Sequence, residues 1–363
     1  MNENKERKNE GTHARVFTIL HTFPKSRKKF DTKFSGVDKN TAVCYTDHMK
    51  KIKKYCAVSY RPNRVNVLKD FLNDLRPFDL VIQCVKVDEK TENQLQNNKE
   101  YINFSALKER MERHLPPPKL VQLSGFDSER EIAELLAPVK PDLEGLTLFK
   151  CPDLADLSFL EDFPRLKTLQ MYWNRKATKL FNAARLPALQ KLYVTDCNKL
   201  TDFSGLRGSR LASLTLYGCN GLSSFTPRLD IGDPDFLADM PALKHLTLDI
   251  MRTQTNEVYL KTFANLKTLE VLELPRSFFT FEQFAWLSAH LPNVKESLEA
   301  CPPAVTATTL AMNSIRETFA VIGRHKPCVK AEKAKKYTAA YDALRAQFKD
   351  ADEPPAVDFK ITI

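Results

Sequence analysis

No stretch of this 363-residue chain approaches the ~18 consecutive apolar residues that a helix needs to cross a bilayer. A membrane-spanning helix is therefore not expected. The first ten residues, Met1 to Glu10, are too charged for the apolar segment of a secretion signal, which makes a cytoplasmic location the expectation. Eight cysteines stand at 44, 56, 84, 151, 197, 219, 301 and 328 without one C-x-x-C pair, so metal ligation has no spacing to rest on. Cys44 and His48 come nearest to a ligand pair, and they read as a buried thiol and a surface imidazole. No metal and no cofactor are expected. A reduced compartment follows, since secreted repeat proteins usually bracket the stack with clustered cysteines.

Catalytic phrases are missing as well. The seven histidines form neither H-x-x-x-H nor H-E-x-x-H, and G-x-S-x-G and P-loop phrases do not occur. The chain reads as a non-enzyme. Residues 12–115 are the place where a catalytic set drawn from distant positions would have to assemble.

What is present is a leucine frame. L-x-x-L-x-L-x-x-(Cys or Asn) appears as Leu143-Leu146-Leu148-Cys151, Leu166-Leu169-Met171-Asn174, Leu189-Leu192-Val194-Cys197 and Leu211-Leu214-Leu216-Cys219. Leu243-Leu246-Leu248 and Leu269-Leu272-Leu274 continue it less cleanly, and Leu291 ends it. Steps between first leucines are 23, 23, 22, 32, 26 and 22 residues, so the long step marks an insertion, read as a loop around Pro227 to Pro234. In a strand of period 2, Leu146 and Leu148 face a core while Thr147 between them faces out. One repeat cannot enclose its own leucines, so stacked copies must share an interior.

The frame implies an α/β fold: a leucine-rich-repeat solenoid with a curved parallel sheet, an N-terminal α/β region and a C-terminal helical cap. Four regions are expected: a charged tail at 1–11, an α/β region or irregular cap at 12–115, the solenoid at 116–300, and a strand and helix at 301–363. In the second region, 15–21, 55–60 and 78–85 read as strands, 64–76 and 105–114 as helices, and 88–100 as an exposed loop. Pro116, Pro117 and Pro118 mark its end. Leu120 to Leu123 then reads as a strand, and Ser128 and Glu131 as a capping box that opens a helix. Phe278 to His290 looks more helical than the earlier returns, residues 317–322 form a strand, and Lys330 to Lys349 forms a helix striped by Tyr337, Tyr341, Leu344 and Phe348.

Residues 120–300 resemble leucine-rich repeat proteins, and Leu157-Ser158 with Leu200 to Leu206 is similar to the short returns of bacterial internalin-like repeats. Phe278 to Leu287 and Val321 to Pro327 look similar to uncharacterised cytoplasmic bacterial leucine-rich repeat proteins. The resemblance implies binding on a curved sheet and brings no catalytic activity with it. No signal or anchor like those of secreted members is expected from these residues, so adhesion to host cells is not carried over.

In each phrase the third, fifth and seventh positions point to the concave side. Phe149, Tyr172 and Tyr217 fall on the seventh, Tyr193 on the fifth, and Trp173 stands beside Tyr172. Lys150, Arg175 and Lys191 lie close by, giving an aromatic floor with a basic rim suited to an acidic segment of a protein partner. Residues 1–60 hold 14 Lys and Arg against 6 Asp and Glu, most of the chain's surplus of +10. Their basic patch is Lys25, Arg27, Lys28, Lys29, Lys50, Lys51, Lys53 and Lys54. Nucleic acid is the less favoured partner class, because no groove-reading helix or stacking platform accompanies that patch.

Overall fold

The structure, a computed structural model, describes residues 53–59, 80–87, 101–113, 117–218, 229–304, 318–323 and 328–356. The expected strand at 15–21, helix at 64–76, loop at 88–100 and basic residues from Lys25 to Lys51 lie outside these. All the described residues belong to one of the chain's two compact units, 51–304 with 317–363. No helix among them is long and apolar enough to cross a membrane.

Strand β1 (Lys53–Ser59) lies antiparallel between β2 (Leu80–Val87) and β3 (Tyr101–Asn103), and helix α1 (Phe104–Glu112) follows directly. The three strands join the same sheet as the leucine frame. β2 pairs in parallel with β4 (Leu120–Ser124), and from there β5 (Gly145–Phe149), β6 (Thr168–Tyr172), β7 (Lys191–Thr195) and β8 (Ser213–Tyr217) pair in parallel, each with the next. Short β9 (Leu229–Asp230) precedes β10 (His245–Met251), which lies beside β8, and β11 (Val271–Glu273) closes the order. The result is an open, mostly parallel sheet of eleven strands in a mixed α/β fold. It is repeat-like along its length.

Register explains why the leucines recur. Leu146, Leu169, Leu192 and Leu214 share one position across β5 to β8, and Leu148, Met171, Val194 and Leu216 share another. All are buried in one continuous core. At roughly 1.5–3 kcal/mol per enclosed Leu or Met side chain, this pair of rows is the largest stabilising contribution in the sheet. Leu274 departs from the frame: it lies one residue past β11 and is only half-buried.

The chain returns between β5 and β8 by single 3-10 turns at Ser158–Asp162, Ala183–Arg185 and Ser204–Leu206. These returns pass close to one another. A Cβ on Gly205 would stand 2.3 Å from the Phe181 carbonyl oxygen, so this turn requires glycine. Returns before and after this stretch include helices. Helix α2 (Glu129–Leu136) follows β4, α3 (Asn256–Ala264) follows β10 and α4 (Phe281–His290) follows β11. Phe263, Phe278, Phe279 and Phe284 fill the added volume, with Phe279 meeting each of the other three rings edge-on.

A reciprocal capping box opens α4, where Thr280 Oγ1 accepts from the Gln283 amide and Gln283 Oε1 accepts from the Thr280 amide, both at 3.2 Å. The box expected at α2 is only half-formed. Ser128 Oγ accepts from the Glu131 amide, but the Glu131 carboxylate turns instead to Lys54. In the insertion, residues 227 and 228 lie outside the described residues, whereas β9 pairs in parallel with Ile250 and Met251 of β10. That end of the insertion is a strand where a loop was expected.

Residues 317–322 were expected as one added strand. The strand there, β13 (Thr318–Phe319), lies between β12 (Pro303–Ala304) and β14 (Val329–Lys330) in a separate antiparallel sheet of three. Helix α5 (Ala331–Gln347) then packs against α4 through the expected stripe. The Tyr341 hydroxyl donates to the Phe284 carbonyl at 2.9 Å, and Trp286 Nε1 donates to the Ala351 carbonyl at 2.9 Å.

The residue closing each phrase fastens the bend after the strand. Asn174 Nδ2 donates to the carbonyls of Cys151 at 3.1 Å and Leu154 at 2.8 Å, while its Oδ1 accepts from the amides of Lys176 and Ala177. Cys151 and Cys197 occupy the same slot as buried thiols, and burial pushes each up to about 12. Replacing Asn174 by Ala removes all four bonds from a buried bend, so a loss on the order of 2–4 kcal/mol is expected. Urea unfolding measures it, and a loss under about 0.5 kcal/mol would show that the amide does not fasten the coil.

Candidate binding surface at the strand ends

Each strand from β4 to β7 is followed by a residue in the left-handed region. Gly125 has φ 76°, Lys150 51°, Trp173 61° and Asp196 54°. The amides of these residues extend the ladder beyond the strands. Gly125 N donates to the Lys150 carbonyl at 3.1 Å, Lys150 N to Tyr172 at 2.8 Å, Trp173 N to Thr195 at 2.9 Å and Asp196 N to Tyr217 at 3.1 Å. The conformation costs an L-residue roughly 1–2 kcal/mol, and only glycine adopts it freely. A tryptophan here is a genuine outlier.

Around Trp173 the expected aromatic and basic residues meet. The rings of Phe149 and Tyr172 stack at 4.9 Å with 8° between their planes. Lys150 Nζ lies 5.3 Å from the Phe149 ring and 5.5 Å from the Trp173 ring, and Arg175 Cζ lies 4.4 Å from Trp173 on its own. Phe149, Tyr172 and Trp173 are half-buried, while Lys150 and Arg175 are exposed. Each such cation–ring contact contributes about 0.5–1 kcal/mol at an exposed site, and two of them bring positive charge to the indole.

The other expected site residues are spread along the same face. Tyr193, Lys191 and Tyr217 are half-buried on β7 and β8. Burial raises the Tyr217 hydroxyl above its ordinary range, and the charges of Asp249 and Glu273 raise it further. The basic rim is therefore local to Lys150 and Arg175, and towards β10 and β11 the face turns acidic. The middle row corrects the expectation of an open surface. Gln122, Thr147 and Gln170 point away from the leucine face, as alternation requires, yet they are only 2%, 1% and 2% exposed.

Of the basic patch, Lys25, Arg27, Lys28, Lys29, Lys50 and Lys51 lie outside the described residues, and Lys53 opens β1. Lys54 corrects the reading of a free cationic surface. Its ammonium meets the Asp127 carboxylate at 2.7 Å and also pairs with the Glu131 carboxylate, and Lys86 binds Asp127 from β2. Nothing local announces this network, because Lys54 lies 73 residues from Asp127 and 77 from Glu131 along the chain. Among the described residues no group of three or more His, Cys, Asp and Glu could hold a metal ion.

Burial works against both charged states here. The carboxylates outweigh it and hold Lys54 above the ordinary lysine value of 10.5, while hydrogen bonds from Lys54 and Lys86 hold Asp127 below the ordinary 3.8. A raised lysine stabilises fully below 10.5 and loses the effect as pH climbs through its folded value, and a depressed aspartate stabilises above 3.8 and loses the effect as pH falls through its own. A double-mutant cycle of Lys54→Met with Asp127→Asn should give about 1–2 kcal/mol of coupling at pH 7. It should shrink at both pH extremes, and coupling that persists unchanged below the pH at which Asp127 itself titrates in the folded chain would rule out the ionic origin.

Compared with known proteins, the chain matches no family model, and no curated protein was found similar to it.

Proposed function

We propose that this chain is a leucine-rich repeat protein whose parallel sheet curves into a solenoid, and that it serves as a non-catalytic module capturing an acidic segment of a protein partner. The capture surface is Phe149, Lys150, Tyr172, Trp173 and Arg175. Tyr193 and Tyr217 extend it along the concave face.

Trp173 in the left-handed slot carries this reading. The slot asks only for a bend, and Gly125 shows that glycine fills it one coil pair earlier. Indole in place of glycine gives up roughly 1–2 kcal/mol of backbone stability and leaves a large ring half in water, a cost its two cation contacts do little more than offset. Its neighbours define what would dock. Among the described residues neither Lys150 nor Arg175 is paired with a carboxylate, and both stand over aromatic rings. A carboxylate-bearing segment would meet these charges while covering the apolar floor.

The test uses Trp173→Gly in the full chain. Because glycine relieves the backbone, thermal stability should stay level or rise, while recovery of the native partner in affinity purification falls at least tenfold. Equal recovery by variant and wild type would remove this surface from consideration. Salt distinguishes the partner class: a steep fall in affinity between 50 and 200 mM salt, on the order of 10³ or more, would point to phosphate backbones instead.

A further inference from the structure

We propose that Cys56 and Cys84 form a redox-active dithiol site that closes to a disulfide between β1 and β2 when a peroxide supplies the oxidising equivalents. The two residues stand directly opposite each other in the antiparallel register. Both side chains point into the core, where they are 0% and 6% exposed, and both are free thiols. Opposed residues of an antiparallel pair have Cα atoms about 4.5 or 5.5 Å apart, and either separation lies inside the roughly 4.4–6.8 Å window that a disulfide spans. The register therefore places the two residues within reach of a disulfide.

The surroundings divide the two sulfurs into different roles. A hydrogen bond from the Cys56 thiol lowers Cys84, and the Lys54 charge lowers it further, against its partial burial. The same hydrogen bond raises Cys56, which burial then raises again. Lys54 and Lys86 are opposite each other two residues along the same pair of strands, and the facing groups are Asp127, Glu131 and the buried thiol of Cys151. Cys84 is also the more accessible of the two, 6% exposed against 0%, which makes it the nucleophile and Cys56 the resolving thiol.

The Cys84 thiolate attacks one oxygen of hydrogen peroxide, the O–O bond breaks, and hydroxide leaves to become water, giving a sulfenic acid. Cys56 sulfur then attacks the sulfenyl sulfur. The S–S bond forms, the S–O bond breaks, and the departing hydroxide takes the Cys56 proton as a second water. Two thiols lose two electrons and one peroxide gains them. The bond ties β1 to β2 at the end of the parallel array, leaving the Phe149 and Trp173 cluster untouched.

The full chain, fully reduced, is titrated with hydrogen peroxide, its remaining thiols are alkylated, and peptides are mapped by mass. The expected product is an intramolecular Cys56–Cys84 link that forms before any other pairing and disappears on reduction. Cys56→Ser should stop the reaction at a sulfenic acid on residue 84 that dimedone traps, and Cys84→Ser should slow oxidation of Cys56 at least tenfold. Equal alkylation of both cysteines before and after peroxide in the wild type would overturn the proposal, as would a first link that joins any other pair. Because the wild-type map decides this, a variant that folds poorly does not weaken the test.

Discussion

Two rows of leucine and its isosteres, which no single coil can close, are the constraint on which the rest depends. Leu146 is covered only because Leu169 stands next to it in register, and Leu169 only because of Leu192. Ion pairs follow the same interval. Lys167 meets Glu144 at 2.8 Å and Arg165 meets Asp142 at 3.1 Å, each pair one coil apart. These pairs are exposed, and such contacts contribute about 0–1 kcal/mol each, well below an enclosed leucine. Burial thus sets the register, and the charges are placed by it.

A stack of parallel strands forces every chain segment to bend at the same level. Two adjacent positions answer that demand in different ways. The bend residue, Cys151, Asn174 or Cys197, turns inward and is buried, so its chemistry is limited to small thiols and a fully bonded amide. The residue before it takes the left-handed conformation and points outward, so its backbone is fixed while its side chain is free to vary: Gly125, Lys150, Trp173, Asp196. Structure is spent on one position and variation on its neighbour.

The frame from Leu143 to Leu272 was legible because period-2 burial and a fixed coil length both leave marks in the order of residues. The helix with Tyr341 and the helical return within Phe278 to His290 were legible for similar local reasons, whereas the box at Thr280 and Gln283 went unread. Burial of Thr147 was not, since alternation tells which way a side chain points and not what it meets. Lys54 read as one more surface cation, because nothing near it in sequence announces Asp127 or Glu131. Cys56 and Cys84 looked scattered for the same reason: antiparallel pairing brings together residues whose separation carries no motif.

Repetition also explains where the unrepeated chemistry lies. A parallel stack leaves an edge at each end, and both edges here are short, three residues in β3 and three in β11. At β11 a side chain completes the pairing, with Ser297 Oγ accepting from the Leu272 amide at 3.0 Å. At the other end the direction of the chain reverses between β2 and β1, and β2 accepts a parallel neighbour on one side and an antiparallel one on the other. Antiparallel pairing sets residues squarely opposite each other, where parallel pairing slants them. Lys54 with Lys86 and Cys56 with Cys84 are such opposed pairs, so the end of the sheet holds side-chain combinations that the leucine coils, each built to match the next, have no place to form.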